Sequence, residues 1–447
     1  MKSELASTLF WSAYTFVHAQ RDQQIPWQSL ETTLATQRRR VRQIVRHAWE
    51  SVPFYREAMQ ARGLRPEHFR NAEDLARLPL IDGRIYSENP GRFRSTHVQG
   101  DVLSITSSGT TGRTKQFDYD GRALFLSLAH GHRQRHVLAH FTGKLAGYRE
   151  LNLARDGGVA SQIRAYYDDH LWTPRHMDLT RQFLTPGTLP LEEEVARINS
   201  FRPDVIRGYG SYLGALYRAI SRRGLPFHRP RVLVYGADSM PASDRARIED
   251  ELKIPVVSIY QSTEALHIGF QCTLRHGFHL ALDSVAFRLV DQEGRDVAPG
   301  QPGQVVISNL TNRATVLLNY RLGDIAVLGA RPCPCGRTLP VLDSLEGRSD
   351  DVIHLDDGRT LHALQVLRQL RLASGVDQIQ VIQEGARVYR IHAVDEGAID
   401  RPAAASHLAQ ELDALTGARN NVSVDWLDAL PAEPNGKTRI VISRLPT

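Results

Sequence analysis

The sequence predicts an α/β protein in two parts. A large N-terminal part has layered α/β sheets plus a small β subdomain, and a small C-terminal part is α+β. Three observations predict this. First, two short apolar runs, 231–235 and 256–260, each end in a polar loop and alternate with amphipathic helices, as buried strands of an α/β sheet do. Second, from about 278 to 328 the pattern changes to short alternating strands with Gly and Pro turns, among them Ala298-Pro299-Gly300 and Gln301-Pro302-Gly303. Third, after Glu346-Gly347-Arg348-Ser349-Asp350-Asp351 the remaining residues read strand, helix, two strands, helix, strand. A chain of 447 residues is too long for one compact core, so the division falls at that boundary, giving domains 1–346 and 347–447.

Taken in order, residues 1–20 carry Leu9-Phe10-Trp11 and Phe16-Val17-His18-Ala19, but Glu4, Ser7, Thr8 and Ser12 interrupt the pattern of a signal peptide. An amphipathic helix is expected there. Residues 28–65 read as helices with a turn at Val52-Pro53. Within them the basic run Arg38-Arg39-Arg40, Arg42 and Arg46 interleaves with Val41, Ile44, Val45 and Ala48 at helical spacing, which describes a helix with a solvated basic face. Further helices are expected over 121–140, on either side of Phe201-Arg202-Pro203 within 190–222, over about 361–373 and over 402–416.

The composition narrows the partners. A net charge of +6 mildly favours polyanionic ligands. No aromatic platform or known nucleic-acid module accompanies the arginines, and no window has the roughly 18 uninterrupted apolar residues of a membrane span, so neither nucleic acid nor membrane is an expected partner. Three cysteines, an odd number, argue against a disulfide framework and for a reducing, cytoplasmic location.

The chemistry starts at Ser107-Ser108-Gly109-Thr110-Thr111-Gly112-Arg113-Thr114-Lys115, just after the apolar run 102–105. Its hydroxyls, glycines and terminal lysine make a donor-rich loop suited to phosphate, with a spacing unlike that of a Walker P-loop. Tyr260-Gln261-Ser262-Thr263-Glu264 follows a strand directly, where a carboxylate beside a hydroxyl suits a magnesium ion bridging phosphates. Gly236-Ala237-Asp238 also follows a strand. Tyr320-Arg321-Leu322-Gly323-Asp324 offers a carboxylate for vicinal hydroxyls, and Pro434-Asn435-Gly436-Lys437-Thr438-Arg439 puts a lysine on a tight turn.

In this order the segments resemble those of the adenylate-forming enzymes, the superfamily of acyl-CoA ligases, peptide-synthetase adenylation domains and luciferases. The likeness is greatest to the phenylacetate–CoA ligase branch with its capsule-biosynthesis relatives. It runs from about Val41 to the C-terminus and includes His47-Ala48-Trp49, Val52-Pro53-Phe54-Tyr55-Arg56, Leu64-Arg65-Pro66, Glu73-Asp74-Leu75 and Leu78-Pro79-Leu80. The resemblance implies an adenylate-forming domain followed by a small mobile lid. It assigns phosphate binding to Ser107, Ser108, Gly109, Thr110, Thr111, Gly112 and Lys115. Magnesium and adenine fall to Glu264, Thr263 and Tyr260, and the adenine edge to Gly236, Ala237 and Asp238, where the family more often has Glu at the third position. Asp324 takes the ribose, Arg348 assists at ribose and phosphate, Asp350 is the hinge, and Lys437 is the catalytic lysine.

Cys272, with His276 four residues on, and Cys333-Pro334-Cys335 together supply the four ligands of a closed tetrahedral zinc site, with His279 a rival for the fourth place. Cys333-Pro334-Cys335-Gly336-Arg337 also resembles a Cys-rich segment of the branch. The expected reaction is ATP-dependent activation of a small carboxylic acid as an acyl adenylate, with release of pyrophosphate and transfer to coenzyme A. Just past the hinge, Asp357-Gly358-Arg359-Thr360-Leu361-His362-Ala363 replaces the branch's Gly-Val-Asn-x-x-Pro-like stretch, so an amine or a carrier protein is the alternative acceptor. A catalytically idle nucleotide-binding homologue is a reading from another class, and a homodimer is compatible with the resemblance. Tyr209-Gly210-Ser211 and residues 129–136 are candidates for the acid pocket, whose chemistry the sequence does not reveal.

Overall fold

The computed structural model describes residues 2–445 except 99, 108–113, 172–180, 349–351, 364, 367–368, 371–375, 377, 396–398, 428–429, 432–438 and 440. Its centre is an eleven-stranded mixed sheet. The parallel half runs from the edge as Arg181–Leu184, Glu150–Leu153, Val205–Tyr209, Val232–Gly236 and Val256–Ser262. The run from Val232 to Val234 is apolar throughout because both faces are covered. Val232 and Val234 pack with Val137 and Leu138, while Leu233 packs with Leu213, Leu216 and Ile220.

The direction then reverses. Leu266–Phe270 pairs antiparallel with Val256–Ser262, followed across the sheet by Phe278–Leu280, Val341–Arg348, Tyr320–Leu328, Pro302–Asn309 and Val285–Val290. The β-rich segment expected from 278 to 328 thus continues the parallel half edge to edge. A separate hairpin, Val102–Ser107 with Lys115–Asp120, carries the glycine-rich loop at its tip, with Ser107 opposite Lys115.

Helix Leu30–Ser51 buries Gln37, Val41, Ile44, Val45 and Ala48 at the expected spacing. One member of its basic run departs from the solvated face. Arg40 turns inward and donates to the Asp283 carboxylate at 3.0 Å and to the Asp283 carbonyl at 2.9 Å. Beside it lies Arg133, only 3% exposed, from the turn after helix Gly121–His130. Its guanidinium donates Nε to Asp22 at 2.7 Å and reaches both oxygens of Asp283 at 2.8 and 2.9 Å. Asp22 ends the first helix, Lys2–Asp22, whose Trp11 stacks on Phe125 with ring centres 4.9 Å from Phe10 and 4.6 Å from Phe125.

The C-terminal residues have their own apolar core, formed by Ile353, Val366, Ile379, Val381, Ile391, Leu408, Leu412 and Val441 among others. A four-stranded sheet orders Asn421–Trp426, Val388–Val394, Gln378–Gly385 and Val441–Ser443, backed by helix Arg401–Thr416. A short hairpin, Val352–His354 with Thr360–His362, precedes it. Between this unit and the large sheet the contacts include polar ones: Gln378 Nε2 donates to Asp244 Oδ2 at 2.7 Å, and Arg222 donates to the Asp395 carbonyl. Asp244 is also gripped by Arg218 at 3.0 and 3.2 Å.

Removing one side of a buried ion cluster leaves uncompensated charge, so Arg133→Met is expected to lower the unfolding free energy by about 3–5 kcal/mol. Denaturant unfolding of the two proteins measures this. A loss under about 1 kcal/mol would show that water, not the guanidinium, satisfies Asp22 and Asp283.

Candidate active site

The parallel strands end in the segments that carry the predicted chemistry, at the edge where open α/β sheets hold ligands. Side chains from three strands of the sheet meet at Asp324. Tyr260 donates its hydroxyl to Asp324 Oδ2 at 2.7 Å, and Arg348 reaches Oδ1 at 3.2 Å. Antiparallel pairing sets Arg348 directly opposite Asp324, so register alone brings the two together. Gly323, just before, has φ +86°, a conformation that costs glycine little and other residues more. A carboxylate has about four acceptor positions, so Asp324 retains capacity for a diol beyond these two bonds.

Thr263 and Glu264 lie in the turn after Val256–Ser262, and their backbone is held from below. Tyr119 donates to the Thr263 carbonyl at 2.7 Å, and Asn309 Nδ2 donates to the Glu264 carbonyl at 3.1 Å. Tyr320 brings its hydroxyl to within 3.5 Å of Glu264 Oε1. The Ser262 hydroxyl is buried with no hydrogen-bond partner among the described residues, a polar atom suited to a ligand beside Glu264. Lys115 lies close by: a Cβ placed on Gly83 would stand 2.0 Å from its Nζ and 3.5 Å from the Tyr320 hydroxyl. Gly83 is therefore the gap through which the lysine passes.

Burial raises the pKa of Tyr260, Tyr320 and Tyr119 well above the ordinary tyrosine value. The neighbouring carboxylates push the same way, Asp324 on Tyr260 and Glu264 on the other two. All three remain protonated donors. Tyr119, Asn309 and Tyr320 were absent from the sequence-derived site. Tyr320 opens the segment that ends at Asp324, whereas nothing local marks Tyr119 or Asn309.

At the other predicted turn, Ala237 has φ +69°, a left-handed conformation that is costly for alanine and frequent where a site imposes its backbone. Gly236 lies close to the next strand, with its Cβ position 3.2 Å from the Ile259 carbonyl. Asp238 is occupied locally. Its Oδ1 accepts from Gly210 N–H at 2.5 Å, and its Oδ2 takes the Ser211 hydroxyl and N–H, capping helix Gly210–Arg223. Ser108, Gly109, Thr110, Thr111, Gly112, the hinge residue Asp350 and Lys437 lie outside the described residues.

The cysteines converge away from this edge. Sγ of Cys272, Cys333 and Cys335 and a ring nitrogen of His279 all lie within 4.8 Å of one another. Cys272 and Cys333 are 3.9 Å apart, and Cys335 Sγ is 3.4 Å from His279 Nε2. A tetrahedral zinc with bonds of about 2.3 Å to sulfur spaces its sulfurs about 3.8 Å apart, so this donor set fits the ion. His279 Nδ1 contacts the Leu339 carbonyl at 3.2 Å, which orients Nε2 toward the cluster. Burial pushes the Cys333 thiol up to about 12. At Cys335 burial also raises the pKa, but the Arg337 N–H and its charge outweigh it and hold the thiol below its usual value. The expected ligand His276 is corrected here: it is exposed on the turn before Phe278–Leu280, while His279 faces inward from that strand.

The CapK C-terminal domain family matches residues 355–444. A phenylacetate–coenzyme A ligase of Thermus thermophilus is 27% identical over 347 residues, covering 72% of each chain. Its counterpart from Pseudomonas putida is 25% identical over 390 residues, covering 83% of this chain and 81% of the relative. Among solved structures, a 2-hydroxyisobutyryl-CoA ligase in the postadenylation state superimposes with a TM-score of 0.74 at 18% identity, covering 94% of this chain and 91% of that one. Over most of its length the chain is thus similar to phenylacetate–coenzyme A ligases, it carries a CapK-type C-terminal domain, and it shares its fold with a 2-hydroxyisobutyryl-CoA ligase.

Proposed function

We propose that the chain activates a carboxylic acid with ATP, giving an acyl adenylate and pyrophosphate, and then transfers the acyl group to coenzyme A. The observation that carries this reading is the convergence of Tyr260, Arg348 and Asp324 beside Glu264, Tyr320 and Lys115 at one sheet edge. Asp324 accepts from the ribose hydroxyls. Lys115 and the loop from Ser107 to Gly112 donate to the phosphates. Glu264 is the residue that would hold magnesium, which screens the triphosphate charge when bound. Gly236 and Ala237 present a flat backbone to the adenine, with Asp238 acting through the helix it caps. In this reading residues 347–447 form the lid, turning about Asp350, and bring Lys437 to the carboxylate and α-phosphate, where it offsets charge that grows as the bond forms. The relatives named for coenzyme A ligation make that acceptor the first choice. The tight turn at Asp357-Gly358-Arg359, closed by an Arg359–Asp357 ion pair of 2.7 Å, keeps an amine or carrier protein as the second.

The Cys272, His279, Cys333 and Cys335 cluster is proposed as a structural zinc site. It ties the turn after Leu266–Phe270 to the loop before Val341–Arg348. The free thiols support a cytoplasmic location, and no helix among the described residues is long and apolar enough to cross a membrane.

Two measurements test these proposals. Pyrophosphate exchange into ATP should require a carboxylic acid, and Lys437→Ala should lower it by about 10²-fold or more while ATP still binds. Near-normal exchange in that variant would remove Lys437 from the mechanism. Elemental analysis of protein purified without chelators should find about one zinc per chain. His279→Ala should lose the ion and His276→Ala should keep it. Protein free of zinc, or loss with the second variant alone, would count against the assignment.

A further inference from the structure

The layer between the sheet and residues 130–142 changes character along its length. At one end it is apolar, with Val205, Val232 and Val257 against Val137 and Leu138. Toward the carboxyl ends of the strands the same face becomes polar. Arg207 lies two residues beyond Val205 and Gln261 lies four beyond Val257, so both project to the side of those valines. Glu150, opposite Val205, gives its carboxylate to Arg207 Nε at 2.9 Å. From the covering segment, Gln134 falls one turn before Val137 and Leu138 and is 6% exposed, with an Nε2 that has no hydrogen-bond partner among the described residues. His130, equally buried, turns its Nε2 toward Asp22 at 3.8 Å, and its ring meets that of His267 edge-on at 6.4 Å. His267 in turn contacts Gln261 at 3.0 Å, ring Nδ1 to amide Nε2. Gln261 reaches the nucleotide turn, its Oε1 lying 3.6 Å from the Cβ position of Gly236.

This polar wall adjoins the segments that hold the adenylate in the reading above, on which the inference rests. The tail of an acid whose carboxylate meets the α-phosphate would run along it. A bare aryl ring there would cover the buried Gln134 amide and the exposed Gln261–His267 pair without offering them a hydrogen bond, at a cost that favours a substrate able to bond them. Glu150 lies between Arg207 and the exposed Arg181, which stands opposite it on the next strand, and burial keeps His267 and His130 uncharged, with neighbouring arginines pressing the same way. The groups nearest the nucleotide turn, Gln134, Gln261 and His267, therefore offer hydrogen bonds and no charge. We propose that the acid activated by this chain is short and carries a neutral hydrogen-bonding substituent, a hydroxyl, received by Gln134, Gln261 and His267.

The test is acid-dependent pyrophosphate exchange with matched acids: 3-hydroxybutyrate against butyrate, with phenylacetate and succinate alongside. The hydroxy acid should exceed its deoxy partner in kcat/KM by about 10²-fold or more, because the site's own polar groups penalise the analogue that leaves them unpaired. His267→Leu should shrink that ratio at least tenfold, mainly through the hydroxy acid, while leaving the KM for ATP near its starting value. Butyrate or phenylacetate turned over as well as the hydroxy acid would overturn the inference and leave the adenylation reading standing. Preference for succinate would overturn it in favour of charge recognition. Exchange with none of the four would remove both.

Discussion

A single guanidinium organises the N-terminal part. Arg133 lies between Asp22 and Asp283, and Arg40 braces Asp283 from another helix. Four stretches distant in sequence meet there: the end of the first helix, the middle of the second, the turn at 131–134, and the loop leading into Val285–Val290. Taking these charges out of water is expensive, and their attraction does little more than return that cost. What the arrangement yields is position. Any shift of residues 130–142 over the sheet would leave a carboxylate buried and alone, so the polar wall against the sheet face is held in one register. Burial and the neighbouring arginines accordingly keep His130 well below the ordinary histidine pKa, and it remains a neutral ring beside the ion cluster.

Much of this was legible in the sequence. The runs 231–235 and 256–260 form strands because both faces of each are covered, and a continuous apolar run carries that information without any knowledge of the partners. The helix 30–51 was equally plain from spacing. Failures came where the determining partner is remote. Arg40 looked like its solvated neighbours, yet its fate depends on Asp283, 243 residues away. His276 and His279 are both plausible ligands by count. A turn that passes through Arg275 and Gly277, both at positive φ, leaves His276 in solvent and starts the strand that turns His279 inward. Asp238, expected at the adenine edge, has a carboxylate that accepts from the first residues of a helix starting 28 residues earlier, a contact no local pattern announces.

The candidate site relies on tyrosines more than its motifs suggest. Tyr260, Tyr320 and Tyr119 each sit beside a carboxylate or a carbonyl of the segment around Glu264 and Asp324. A phenol that remains protonated supplies a directed donor without adding charge, so the carboxylates stay oriented toward a cation or a diol. The rings also bring large apolar surfaces. Tyr320 and Tyr119 belong to the main core, so the hydroxyls are fixed by packing at their other end.

The seam between the C-terminal unit and the sheet has a thermodynamic consequence of its own. Each side keeps its apolar cluster whole, and the bonds across include an amide to a carboxylate and a guanidinium to a carbonyl. Water can replace such bonds almost one for one, so their net worth is about 1 kcal/mol each. Arg218 retains Asp244 whether or not Gln378 is there, so parting strands no charge. In a proposed lid these two bonds would therefore resist parting by only about 1 kcal/mol each, which is less than the free energy a single bound nucleotide can supply.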